Sequence, residues 1–258
     1  MKPLTEFATK KEFYNYLVTN KKEIIEFKRA ALKFADPFGV LEKQAQIVKG
    51  LSTSYVDDVK SGIIKRTVIG NTYFWKDSHG DVHVDNCFSK SLSERQDKIW
   101  HLHDHEQKIT AKVGNPISIY EKAVSWTNLG VNVSGGTTAL MMDSNIIKEY
   151  NPAVFNQYLN NEVSQHSVGM YYILLTLAIN DAEYKEEFTE YIKYIDRIGN
   201  KEQVNEDGFF WAVKEAKLIE ISGVLAGSNE LTPTVENKDD HPPVENKFME
   251  QFGKALMK

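Results

Sequence analysis

Two segments of this chain carry side chains that could act as a nucleophile and its base. Ser167 stands two residues before Gly169, and His103 ends an apolar run that begins at Ile99. A serine hydroxyl becomes a useful nucleophile only when a neighbouring base takes its proton, and an imidazole does this near neutral pH. Gly169 would let a substrate backbone approach closely. The pairing of Ser167 with His103 therefore predicts a serine hydrolase.

A third group is needed to orient the imidazole, and Glu220 is the candidate for it. Glu220 lies in an apolar segment and, if that segment is a strand, faces the same side as Ser222. A buried carboxylate needs a partner, because burying it unpaired is costly. We expect Glu220 to accept the remaining N–H of His103. The alternative is an edge-strand glutamate that faces water.

The cluster of His101, His103 and His105 allows a different chemistry, a metal-dependent hydrolase. Alternate residues of a strand project on one face, so two of these imidazoles could hold one zinc ion.

Two other residues compete with Ser167 for the role of nucleophile. Ser164 is close enough to the proposed nucleophile to be confused with it. Cys87, the only cysteine, has no positional signature of a nucleophile and is typical of a small buried hydrophobic residue.

The elements that must position these residues follow from the hydrophobic periodicity. Helices are predicted over residues 10–46, with a break at Pro37, and over residues 88–92, 139–149, 152–159 and 182–198. The helix over 152–159 has Pro152 at its first position. Strands are predicted over residues 63–70, 71–75, 98–102, 117–120, 123–126, 162–179, 209–213 and 217–225. Their order predicts helices around an antiparallel sandwich or barrel.

Composition and charge limit the class of protein. The hydrophobic content of 41% and the charged content of 26% are those of a globular protein, and 258 residues suffice for one main domain. The net charge of −5 and the absence of a basic stripe argue against a nucleic-acid partner. No apolar stretch has the length of a membrane span, and a single cysteine cannot form an internal disulfide, which together favour a reducing cytoplasm.

Several motifs, in their order along residues 63–229, resemble the prohead (capsid maturation) proteases of tailed bacteriophages, which share a fold with the herpesvirus assemblins. The run ending in His103-Asp104 is similar to the family's hydrophobic strand ending in His-Asp, so the resemblance places the catalytic histidine on His103. The Ser-Val-Gly step is similar to its Ser-Ile/Val-Gly strand and places the nucleophile on Ser167. The segment around Glu220 resembles its Leu-x-Glu-Val-Ser strand, so Glu220 takes the third position.

The resemblance implies an α+β fold, a mostly antiparallel β-barrel flanked by helices as in the herpesvirus proteases. Residues 1–60 would form an N-terminal helical extension, 61–230 the catalytic domain and 231–258 a flexible C-terminal tail. The implied function is a serine endopeptidase of phage capsid maturation. It would cleave the scaffolding protein, the major capsid protein and itself inside the assembling prohead, in the cytoplasm of the bacterial host.

No cofactor, metal, nucleic acid or membrane is implied by the resemblance, and a homo-oligomer is compatible with it. One alternative keeps the barrel but not the chemistry: a non-catalytic capsid assembly or scaffold protein. The other alternative is the metal-dependent hydrolase that uses His101, His103 and His105.

Overall fold

The computed structural model describes residues 4–30, 32, 48–53 and 59–237 of the chain. Its helices are α1 (Lys10–Thr19), α2 (Lys21–Ala30), α3 (Ser89–Arg95), α4 (Pro152–Leu159), α5 (Lys185–Tyr194) and α6 (Lys201–Asp207). Its strands are β1 (Val48–Thr53), β2 (Ile63–Thr72), β3 (Asp81–His83), β4 (Trp100–His103), β5 (Lys112–Ser125), β6 (Gly136–Ile147), β7 (Gln165–Ile179), β8 (Phe209–Val224) and β9 (Val235–Asn237). The predicted break at Pro37 lies outside the described residues, as does most of the predicted tail.

Seven of these strands form one mixed sheet, and the protein is therefore α+β. The strand order is β2-β6-β5-β4-β8-β3, and β7 pairs with the other edge of β8. The strands β3 and β4 run parallel to β8, and the remaining pairings are antiparallel. The strands β1 and β9 form a separate parallel pair.

The seven-stranded sheet does not close on itself, so the predicted barrel is not confirmed. A short segment after β8 nevertheless links strands at the two ends of the sheet. The backbone N–H of Ile69 on β2 donates to the carbonyl of Pro233 at 3.0 Å, and that of His166 on β7 donates to the carbonyl of Thr232 at 2.9 Å. The first residues of the predicted tail are thus hydrogen-bonded to the sheet, and Thr232 is fully buried.

The two N-terminal helices share the apolar core of the sheet. Phe13 and Leu17 of α1 and Ile24 of α2 are buried in one cluster with the strand residues. The ammonium of Lys28 on α2 lies 2.6 Å from a carboxylate oxygen of Asp81, which is fully buried on β3. Because a buried carboxylate needs a partner, this ion pair fixes α2 against the sheet. No helix within the described residues is long and apolar enough to cross a membrane.

The helix predicted over residues 139–149 is wrong, because this segment belongs to strand β6. Residues 139–142 of this central strand are all buried, so both faces of β6 are covered there. A strand buried on both faces loses its alternating pattern and cannot be distinguished from a helix by periodicity. The next helix is confirmed: α4 begins with Pro152, and the side chain of Asn151 caps it by accepting from the N–H of Val154.

Candidate active site

The register of β7 against β8 brings three of the polar side chains to one face of the sheet. Ser167 lies directly opposite Ser222, and Gly169 lies directly opposite Glu220. Directly opposed residues of an antiparallel pair project to the same side, and residues two apart on one strand do so as well. Ser167, Ser222 and Glu220 therefore share a face, as the sequence predicted for the last two. We call this the front face.

The register of β4 against β8 places His103 on the other side of the sheet, the back face. Leu102 is aligned with Ser222, so it is Leu102 that belongs to the front face, and His103 is aligned with Gly223. The period of two along a strand then separates the side chains of His103 and Ser167. The predicted contact of His103 with Glu220 is replaced by another: the imidazole beside Glu220 is that of His105.

A sharp turn after β4 brings His105 to the front face. Asp104 and His105 have backbone φ angles of 52° and 54°, in the left-handed region that L-residues seldom adopt. The N–H of Asp104 donates to the carbonyl of Gly223 at 2.9 Å, and the N–H of His105 donates to the hydroxyl of Ser222 at 3.2 Å. The turn reverses the chain over β8. Asp and His are among the residues that tolerate this region best, which is the one sequence signal that could have identified it.

Glu220 is held by two hydrogen bonds in the interior of the front face. It is fully buried, and one carboxylate oxygen lies 2.6 Å from Nδ1 of His105. The hydroxyl of Ser222 donates to the other oxygen, also at 2.6 Å. An ionised carboxylate only accepts hydrogen bonds, so Nδ1 of His105 carries the proton and Nε2 carries the lone pair. This tautomer is the one that a general base needs.

The carboxylate of Glu220 occupies space that only a glycine leaves open. A Cβ atom at position 169 would lie 2.7 Å from the carboxyl carbon of Glu220 and closer still to one of its oxygens. Real Cβ atoms do not make such contacts. Gly169 therefore matters through the room that it gives to Glu220, in addition to the substrate access expected from the sequence.

Ser167 is buried to 5% exposure beside this pair. Within the described residues its hydroxyl makes no side-chain hydrogen bond, so the proton-transfer contact with His105 is not formed in this conformation. Catalytic hydrogen bonds are often long in structures without substrate and tighten in the complex. Ser167, His105 and Glu220 are of the residue types that serve as nucleophile, base and orienting carboxylate in hydrolases.

The three histidines of the predicted zinc cluster have separate environments. His103 lies 3.0 Å from a carboxylate oxygen of Asp104 and 3.3 Å from the side-chain amide of Asn151. His105 binds Glu220 on the front face, and His101 is fully buried on the back face. His101 and His103 share the back face but bind different partners, and His105 lies on the front face, so the three imidazoles do not form a common ligand set.

A buried cluster of His101, Tyr158 and His166 lies behind the site on the back face. The hydroxyl of Tyr158 lies 3.1 Å from Nε2 of His101 and 2.9 Å from Nε2 of His166. Nδ1 of His166 lies 3.1 Å from the carbonyl of Thr232 and must donate to it. Tyr158 therefore donates to Nε2 of His166 and accepts from Nε2 of His101. Both imidazoles are neutral in this arrangement, since burial lowers the pKa of His101 to about 3 and that of His166 to about 4.

We expect this back-face cluster to make the protein less stable in mild acid. In the unfolded chain the two histidines protonate near pH 6.5, whereas in the folded protein they stay neutral until about pH 4 and below. The unfolded state then binds more protons, and the free energy of unfolding falls by about 1.4 kcal/mol per pH unit for each histidine. Urea unfolding at pH 6.5 and pH 5.0 measures this slope. His101→Gln should remove about half of it, and an unchanged slope in that variant would contradict the assignment.

A second group of potential ligands lies in the turn before β3. Ligand atoms of Asp77, His79 and Asp81 lie within 4.8 Å of one another. Asp81 already accepts from the ammonium of Lys28 and the hydroxyl of Tyr172, and Asp77 accepts the backbone N–H groups of residues 79 and 81. These contacts account for both carboxylates, so the turn is structural.

Cys87 is fully buried, as the sequence predicted. Burial raises the pKa of its thiol well above the ordinary value. A buried thiol that stays protonated is a poor nucleophile.

Comparison with known proteins gave no match: no family model, no curated protein and no solved structure is significantly similar to this chain. The case for a function therefore depends on the geometry of the front face.

Proposed function

We propose that this protein is a serine endopeptidase in which Ser167 is the nucleophile, His105 the general base and Glu220 the carboxylate that orients the base. The observation that carries the proposal is the fully buried Glu220, 2.6 Å from Nδ1 of His105, on the face where Ser167 lies opposite Ser222. A buried carboxylate paired with an imidazole next to a buried serine is the arrangement that activates a hydroxyl. His105 takes the role that the sequence predicted for His103.

The proposed reaction proceeds through an acyl-enzyme. The hydroxyl oxygen of Ser167 attacks the carbonyl carbon of the peptide bond, and its proton passes to Nε2 of His105. Glu220 stays ionised and stabilises the imidazolium through the N–H at Nδ1. The imidazolium then gives its proton to the leaving amine, and the C–N bond breaks. A water molecule then attacks the acyl-enzyme, with His105 again as the base. The ester bond to Ser167 breaks, which releases the new carboxyl end and restores the Ser167 hydroxyl.

The biological role that we propose is that of the phage prohead proteases, based on the resemblance of the motifs. The substrates would be scaffolding and major capsid protein segments, together with the chain's own polar C-terminal segment around Pro242 and Pro243. The linking segment at residues 232–234, which is hydrogen-bonded to β2 and β7, supports a barrel-like arrangement of the sheet of the herpesvirus-protease type.

A fluorophosphonate probe tests the proposed chemistry without knowledge of the natural substrate. Such probes phosphonylate serines that an adjacent base has activated. The serine oxygen displaces fluoride, so we expect the peptide that contains Ser167 to gain the mass of one probe less HF, and Ser167→Ala to gain none. Ser164→Ala, which removes a partly exposed serine three residues away, should be labelled like the wild type.

Self-cleavage gives a second measurement on the same variants. The intact mass of the purified wild-type chain should show loss of C-terminal residues, and the Ser167→Ala chain should keep its full mass. If the wild type is neither labelled nor shortened, the protein is not a serine peptidase, and the non-catalytic assembly protein becomes the better interpretation.

A further inference from the structure

We infer that Ser222 is a positioning residue of the proposed site. Its hydroxyl holds the base, His105, and the carboxylate of Glu220 in position relative to each other. The inference rests on the proposed function and adds a fourth residue to it. Ser222 lies opposite Ser167 across the β7–β8 pair and is fully buried. Its hydroxyl makes a hydrogen bond with each residue of the His105–Glu220 pair: it accepts from the backbone N–H of His105 and donates to Glu220.

The direction of both hydrogen bonds is fixed by chemistry. The backbone N–H of His105 can only donate, so the oxygen of Ser222 accepts from it at 3.2 Å. The hydroxyl proton is then directed to the carboxylate of Glu220, which only accepts, at 2.6 Å. A serine hydroxyl has one proton and two lone pairs, and this site uses both functions at once. An alanine at this position satisfies neither partner.

The contact with His105 matters because the backbone there is strained. Asp104 and His105 are consecutive non-glycine residues with positive φ, a conformation that persists only when the surroundings hold it. Three hydrogen bonds do so: the Asp104 N–H to Gly223, the His105 N–H to Ser222, and the imidazole to Glu220. Ser222 supplies one of them directly and fixes the acceptor of another.

The loss of the hydroxyl should therefore loosen the imidazole without removing it. A hydrogen bond to a charged group that is left unmade inside a protein slows a reaction dependent on it by about 10- to 100-fold. We expect this loss in the rate constant of covalent labelling, kinact, while the probe affinity, KI, stays unchanged because Ser222 is fully buried.

The experiment compares the labelling kinetics of Ser222→Ala, Ser222→Cys and a matched control, Ser144→Ala. Ser144 is also a fully buried strand serine, but its hydroxyl has no hydrogen-bond partner within the described residues, so its removal should leave kinact unchanged. The cysteine variant keeps the volume of the side chain and offers only weak hydrogen bonds. It should be as slow as the alanine variant, which separates the hydrogen bonds from a cavity effect.

Proton NMR gives a readout that does not depend on labelling. A proton shared between Nδ1 of His105 and Glu220 should appear far downfield in the wild type and be absent in Glu220→Gln. In Ser222→Ala it should move upfield or exchange away, and in Ser144→Ala it should not change.

The two measurements separate failure of this inference from failure of the proposed function. If the wild type is labelled at Ser167 and Ser222→Ala keeps both its kinact and the downfield proton, Ser222 has no positioning role. If the wild type is not labelled at all, the proposed function fails, and the positioning role with it.

Discussion

Replacement of His105 by alanine should slow fluorophosphonate labelling of Ser167 by about 1,000-fold or more. His105 is the proposed base, and its Nδ1 lies 2.6 Å from Glu220, which leaves Nε2 as the proton acceptor. Without it no base takes the serine proton, and Glu220 keeps a buried charge without its partner. The measurement is kinact of the purified variant, with its urea unfolding curve recorded alongside so that lost folding is not taken for lost chemistry.

His103→Ala is the matched control, because it removes the same side chain from a position two residues earlier. His103 contacts Asp104 and Asn151, and Asp104 is exposed, so the contribution of these contacts is small and labelling should stay within about fivefold of the wild type. The opposite result, a labelled His105→Ala and an unlabelled His103→Ala, would return the role of the base to the residue that the motif resemblance assigns.

Gly169→Ala is expected to have the second large effect, on both activity and stability. The new methyl group would overlap the carboxylate of Glu220, which must then leave its place between His105 and Ser222. Each hydrogen bond to a charged group that is lost inside a protein costs about 1.5–3 kcal/mol of unfolding free energy. A wrongly held imidazole should slow labelling of Ser167 by about 100-fold or more. Urea unfolding and kinact measure the two effects separately.

A double-mutant cycle tests the cause of this effect. In a Glu220→Ala background the overlap no longer exists, so adding Gly169→Ala should cost little further stability. The two single variants would then be strongly non-additive. Additive losses would mean that residue 169 acts through something other than the space it leaves for Glu220, such as the backbone of β7 itself.

The residue types of the front face could be predicted from the sequence better than their geometry. The alternation of residues 218–224 correctly placed Glu220 and Ser222 on one side of a strand, but the predicted partner of Glu220, His103, is wrong, because the imidazole beside Glu220 is that of His105. Which imidazole it is depends on where β4 ends and which way the chain turns. Because side chains alternate between the two faces of a sheet, a shift of one residue moves a side chain from one face to the other.

Tertiary contacts therefore determine that His105, and not His103, lies beside Glu220. The turn at Asp104 is held by the carbonyl of Gly223 and the hydroxyl of Ser222, both more than a hundred residues away in the chain. Local propensity allows positive φ at Asp and His but does not require it. The strand β6 shows the same limit, since residues 139–142 are buried consecutively in the folded core, which removes the alternation that would have identified the strand.

Two glycines on adjacent strands are part of a recognisable sequence pattern. Gly169 makes room for Glu220 on one side, and Gly223 makes room for the hydroxyl of Tyr158 on the other, where a Cβ would lie 2.8 Å from that oxygen. A short written pattern follows: Ser-x-Gly on one strand and Glu-x-Ser-Gly on its antiparallel neighbour, after an Asp-His pair at the end of a third. Distant homologues whose overall sequences have drifted beyond alignment could be searched for with this signature.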